Sequence, residues 1–388
     1  MKVLWVSRFI PFPMNAGDRI YSARLAIALA RAGVDLTVLG LADAGPPAEA
    51  QGPKWLPIEA EERSSLAALL RPLPIIAERA SPPAMVEAFR RLIEELAPRA
   101  VVVDYLASGW ILSEIRRLAD PPAVIYIAHN FEGRLAVDIA NGFSGSAIKK
   151  LLLKINAAKV RRLEHTLVDN SALVVALTER DRQDLVPRDP TKPALVLPPG
   201  FAGHRVPSRV IDAGVPRRVV MLGSVRWIAK QINVEEFVNA ADEKFHKAGI
   251  TFDVIGDVDD EFRQRLAPRM KATRLRGFVD DLPQELAQAR LGLIIEAVGG
   301  GFKLKILDYL FARIPVAALA GSFEGLPPTA NANIEIRPTA SALADAVIRL
   351  IDDFDALNRM QNACFEAVKD EFDWDADGRK LAAAISVL

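Results

Sequence analysis

Short apolar runs alternate with amphipathic stretches from one end of the chain to the other. Runs at 2–7, 35–39, 100–103, 123–128 and 172–177 are rich in Val, Ile, Leu and Ala and predict strands. Between the first two, Ile20, Ala23, Ile27 and Ala30 recur at helical spacing, so 18–32 predicts a helix that Gly33 is placed to end. From 187 to 216 the periodicity disappears into clustered Pro and Gly, which reads as a connection holding at most a short strand at 194–197. The alternation then restarts. Strands are predicted at 218–222, 251–255, 291–295 and 315–318, with helices near 232–248, 260–270, 282–289 and 302–312, and the last stretch of about 35 residues reads as helical. Strand–helix repetition on this scale predicts parallel sheets covered by helices, in two doubly wound domains.

The length of 388 residues agrees, being too great for one ordinary core. The expected boundaries are an N-terminal domain over 1–198, a C-terminal domain over 199–365, and a terminal helix over 366–388 that packs back on the first domain. Lys plus Arg number 49 and Asp plus Glu number 49, so the formal net charge is zero. A general polyanion binder carries a basic excess, so nucleic acid is not the expected partner and any anion site must be local. The single cysteine, Cys364, excludes an internal disulfide and a thiolate metal cluster, and fits a reducing compartment. The first apolar run is too short for a signal peptide, and no uncharged stretch reaches the ~18–20 residues that span a bilayer. These features predict a cytoplasmic protein.

In doubly wound sheets, ligands sit where strands end and helices begin. The strongest such turn is Gly299-Gly300-Gly301-Phe302-Lys303-Leu304-Lys305-Ile306-Leu307-Asp308. Its glycines allow close backbone approach, its helix start offers free N–H groups to a phosphate, and Lys303 and Lys305 add positive charge. Asp308 is placed to accept hydrogen bonds from a ribose diol. Other strand-end turns carry Ala16-Gly17-Asp18-Arg19, Ala128-His129-Asn130-Phe131-Glu132, and Gly223-Ser224-Val225-Arg226-Trp227 with Lys230 following. Each also has a plainer reading as a turn, a core histidine or a solvated charge.

The glycine–lysine turn, followed by Ala312-Arg313-Ile314-Pro315-Val316, resembles the donor-site signature of family 4 glycosyltransferases, which adopt the GT-B fold of two Rossmann-like domains facing across a cleft. The other turns resemble that family's segments in the same order, and the matches span about residues 2–325. The resemblance implies a sugar nucleotide as substrate, no cofactor, no metal, and retention of anomeric configuration. It places Asp308 on the ribose, with Gly17, Arg226, Lys230, Gly300, Gly301 and Phe302 around the donor. Lys303 and Lys305 would stabilise the departing diphosphate, and His129 would contact the transferred sugar. Asp18, Arg19, Asn130 and Glu132 fall on the acceptor side. Many members carry a Glu-x7-Glu pair. Here the earlier position is Gly300, so the first carboxylate is absent, as in a subset whose glycine-rich loop and lysines replace it.

Two Asp-x-Asp triplets, at Asp257 and Asp259 and at Asp373 and Asp375, have metal-binding spacing but stand where helices begin, and capping is the expected role. A basic stretch at 148–167 mixes Lys149, Lys150, Lys154, Lys159, Arg161 and Arg162 with leucines and isoleucines. It is either a solvated helix or a contact with an anionic membrane at the inner face, where a lipid-linked acceptor would be met. Alternative functions are a non-catalytic binder of sugar nucleotides or glycans, and a GT-B epimerase or hydrolase. A nicotinamide dehydrogenase is disfavoured, because no Gly-x-Gly-x-x-Gly follows a strand.

Overall fold

The computed structural model describes residues 1–43, 52–143, 146–186, 191–296 and 302–388. Strands β1 (Lys2–Phe9), β2 (Asp35–Leu41), β3 (Lys54–Ile58), β4 (Ala100–Asp104), β5 (Ala123–Ala128), β6 (Leu173–Ala176) and β7 (Ala194–Val196) form a parallel sheet in the order β3-β2-β1-β4-β5-β6-β7. A second parallel sheet is built from β8 (Arg218–Leu222), β9 (Thr251–Ile255), β10 (Thr273–Gly277), β11 (Leu291–Ile294), β12 (Val316–Leu319) and β13 (Glu335–Arg337), in the order β10-β9-β8-β11-β12-β13. The chain divides into two compact units, Met1–Gly200 with Asp373–Leu388, and Phe201–Phe372.

The central strands are covered on both faces and therefore read as continuous apolar runs rather than alternating ones. All five residues of β4 and all five of β8 are buried. The strands the pattern did not predict are edges. In β3 the sequence Lys-Trp-Leu-Pro-Ile carries a proline, tolerated because an edge strand has one unpaired side. In β10 the residues alternate buried and exposed, so only half of the strand is apolar. Edge strand β13 is three residues long.

In the first unit the terminal helix Trp374–Ser386 packs on the helix Gly17–Arg31 that follows β1. Gly378 permits this approach: a Cβ there would lie 2.5 Å from the carbonyl carbon of Ala28. In the second unit the side chain of Tyr309 helps to pin the helix Lys305–Phe311 to the sheet. The buried Tyr309 hydroxyl accepts from Leu222 N–H at 2.8 Å, and its ring lies where a Cβ on Gly292 of β11 would sit, 2.8 Å away. The Pro/Gly-rich connection is not a free tether over its second half. Arg205 donates to the carbonyls of Lys369 and Glu371, and Arg209 to those of Arg313, Ala287 and Ala289.

Candidate functional site

Both sheets reverse their winding at one place, between β1 and β4 in the first and between β8 and β11 in the second. Loops leaving adjacent strands diverge there, which opens a crevice at the carboxyl ends. Most of the residues singled out in the sequence fall at these two points or one strand away.

In the first unit, β4 ends at Asp104, which is 1% exposed. Its carboxylate accepts the Trp5 indole N–H at 3.0 Å, the Ser22 hydroxyl, and the His129 ring at 2.8 Å through Nε2. Burial pushes Asp104 up, but these three donors outweigh it and hold the carboxyl below its ordinary value. His129 shows the mirror case. Burial opposes its charge, yet the hydrogen bond and charge of Asp104, with Asp18 and Glu132 beyond, hold the imidazole above its usual pKa. The ring sits between Tyr21 and Tyr105, with centroids 5.3 and 5.4 Å away. An imidazole oriented by a buried carboxylate is fixed in direction and tautomer.

Tyr105, next after Asp104, has φ 66 and ψ 160, a conformation that costs a non-glycine residue about 1–3 kcal/mol. Its hydroxyl donates to Glu132. Asn130 donates to Glu132 Oε1 at 3.0 Å, and burial pushes Glu132 upward. The helix Glu132–Gly142 starts on a second carboxylate. Glu164, fully buried and pushed up to about 7 by burial, accepts the N–H groups of Glu132 and Gly133 at 2.8 Å each.

Gly17 opens the helix after β1, where Ala16 supplies no side-chain cap, so the first N–H groups remain available to an anion. Asp18 is exposed in the first turn. Arg19 is committed to protein: it donates to the Phe12 carbonyl at 3.0 Å and pairs with Asp43.

In the second unit, Gly300 and Gly301 lie outside the described residues. Phe302 and Lys303 precede the helix, which begins at Lys305 rather than at 302 because Phe302 is bridged to the chain at Glu324. Lys305 Nζ pairs with Glu296 and donates to the Leu222 carbonyl at 3.2 Å. Glu296 is 4% exposed, and its Oε2 has no hydrogen-bond partner among the described residues. Burial raises its pKa, but Lys305, Lys303 and Lys230 together outweigh that and hold it low. Burial lowers Lys303 and Lys305 in turn. Three ammonium groups therefore share one neighbourhood with Glu296. Asp308 is pushed up to about 6 by burial alone. Arg226 is exposed and 3.3 Å from Asp257.

Asp104 and Glu296 were not found from the sequence. Each is the last residue of, or next but one after, an apolar strand, and that position was the only available signal. The Asp-x-Asp triplets are caps: Asp259 accepts from Phe262 N–H at 3.0 Å and Asp373 from Asp375 N–H at 2.9 Å.

Comparison with known proteins accounts for this layout. Residues 17–200 match the glycosyl transferase 4-like domain, and residues 216–353 match glycosyl transferases group 1. The chain belongs to this family: it is a family 4-like glycosyltransferase of the GT-B fold. Sucrose-phosphate synthase from Thermosynechococcus elongatus superimposes at TM-score 0.72 with 17% identity, covering 100% of this chain and 98% of that one. WaaG, a glycosyltransferase involved in lipopolysaccharide biosynthesis, gives 0.69 at 15%, with both chains fully covered. Anabaena HepE in complex with UDP-glucose gives 0.64 at 15%, again over the whole of both chains. No curated protein matches the sequence.

Proposed function

We propose that the enzyme transfers a glycosyl group from a nucleoside diphosphate sugar, of the UDP or GDP type, to a glycan, lipid-linked or small-molecule acceptor, with retention and without a bound metal. The observation that carries this reading is the clustering of Lys230, Lys303 and Lys305 around Glu296 at the switch point of the second sheet, with Asp308 on the adjoining helix. Breaking an anomeric C–O bond releases a diphosphate, and fixed positive charge beside that leaving group stabilises the transition state. Lys303 and Lys305, with Lys230 beside them, supply this charge. Asp308 accepts from the ribose, and His129, held by Asp104, orients the sugar.

A thermal-shift screen of UDP, GDP, ADP and their sugars tests the donor. A ligand at 100 times its Kd stabilises by ~2.7 kcal/mol. Nucleotide release that requires acceptor separates a transferase from a hydrolase, and proton NMR of the product reads the anomeric configuration. No shift with any nucleotide would overturn the reading.

The helix Ala147–Asn170 supports attachment to an anionic membrane at the cytoplasmic face. Its second half is buried through Ala157, Val160, Leu163 and Leu167, while Ile148, Leu151 and Ile155 are 73, 58 and 42% exposed beside Lys149, Lys150 and Lys154. Lys159, which interrupts the pattern, donates to the Leu69 carbonyl at 2.8 Å. Among the described residues no helix is long and apolar enough to cross a membrane. Each lysine at an anionic surface contributes ~1 kcal/mol, so attachment is salt-sensitive. Sedimentation with anionic vesicles that is unchanged when Lys149, Lys150 and Lys154 become Glu would remove this part.

A further inference from the structure

In the first unit, arginines outnumber the carboxylates that hold them. Arg8, near the end of β1, donates through Nε to Glu62 Oε1 at 2.7 Å, and Arg79 pairs with Glu62 Oε2. Arg63 and Arg71 converge on Glu78 Oε2 at 3.2 and 2.8 Å. Glu78 Oε1 is already taken by the Leu73 N–H at 3.2 Å. Within these ion pairs, four guanidiniums less two carboxylates leave two positive charges, in a chain whose net charge is zero. Glu59 and Glu61 are exposed and form no ion pair among the described residues, so solvent screens them.

Two further observations bear on the role of this layer. The Nε of Arg79 is buried and has no hydrogen-bond partner among the described residues, although the side chain is 34% exposed. A buried donor left unpaired costs about 1–3 kcal/mol, and a turn of the partly exposed Arg79 side chain toward an anion would pair it. The layer also adjoins the histidine. Glu132, Asp18 and Arg8 all act on the Tyr105 hydroxyl, whose ring is 5.4 Å from that of His129. Arginine forks match the paired oxygens of phosphate, whereas the hydroxyls of a neutral glycan accept hydrogen bonds but compensate no charge.

We propose that this arginine layer binds a phosphate or diphosphate carried by the acceptor, so that the acceptor is a phosphorylated molecule rather than a neutral sugar. The word acceptor rests on the transferase reading above; the anion site does not. Calorimetric titration with inorganic pyrophosphate tests it, using the full chain carrying Lys230→Ala and Lys303→Ala so that the lysine site does not report. The expected result is saturable one-to-one binding, weakened at least tenfold by Arg8→Gln or Arg79→Gln. Arg71→Gln, at a half-exposed position, is a second variant that leaves the fold least disturbed. Absence of saturable binding, or binding indifferent to all three substitutions in folded protein, would overturn the proposal and make the layer a structural cross-link. An isoprenyl diphosphate in micelles that binds more tightly than pyrophosphate identifies a lipid-linked source; equal affinity identifies a soluble one. UDP affinity, measured with Arg8→Gln as the sole substitution, should be unchanged. If no form of the protein binds UDP, the donor reading fails while the pyrophosphate result stands.

Discussion

The two switch points solve different electrostatic problems with the same topology. In the first unit, Asp104 and His129 form a buried pair of single opposite charges, enclosed by aromatic rings and fixed by the Trp5 and Ser22 donors. In the second, Lys230, Lys303 and Lys305 surround one buried carboxylate, Glu296, and the balance is positive. The first arrangement orients a group without offering net charge, which suits contact with a neutral sugar ring. The second leaves net positive charge, as the proposed diphosphate site requires. One fold supports both because the parallel sheet fixes only where the loops emerge.

The comparison is broken most severely at Glu296. Removing it with Glu296→Ala strands the buried Lys305 ammonium, and loss of one partner of a buried pair costs about 3–5 kcal/mol. Urea unfolding should show that loss, with most of it recovered when Lys305→Met is added. A variant with unchanged midpoint would mean that the pair is hydrated and the site open. Next in size, His129→Ala should lower kcat by about 100-fold with little change in UDP affinity, as expected for a group that touches the sugar alone. Intact turnover would return His129 to the core.

A smaller effect is expected at Asp308, where Asp308→Asn should weaken UDP about tenfold through loss of a charged acceptor. The same change has the opposite sign for stability. A carboxyl whose folded pKa is about 6 against an ordinary 3.8 disfavours the fold in its charged form. That penalty is absent below pH ~4, grows through pH 6 and is constant above it. Asp308→Asn should therefore raise stability by about 1 kcal/mol at pH 8, and not at all at pH 3.5, in parallel melts. The smallest expected effect is that of a chelator, which should leave transfer unchanged. Loss of activity restored by manganese would contradict metal-independent transfer and return attention to Asp257 and Asp259.

Much of this was legible in the residues themselves. Short, β-branched apolar runs such as Val101, Val102 and Val103, alternating with helical stretches, read as strands covered on both faces, so the parallel sheets and their central strands followed from composition and spacing. The strand-end turn holding His129 and the turn that leads into the helix of Asp308 could be located because ligand sites in this topology lie at the carboxyl edge. What the sequence could not supply was partnership. The edge strands β3 and β10 escaped because half of each faces water, and their pairing is made by neighbours remote in the chain. Asp104 meets His129 across 25 residues and Trp5 across 99, and Arg8 reaches Glu62 across 54. The pairing of Lys305 with Glu296 depends on the helix Lys305–Phe311, anchored by Tyr309, and nothing in the sequence signalled it. Periodicity records which face of an element is buried. Only the packed chain decides which charges that burial brings within hydrogen-bonding distance, and so which remain to meet a substrate.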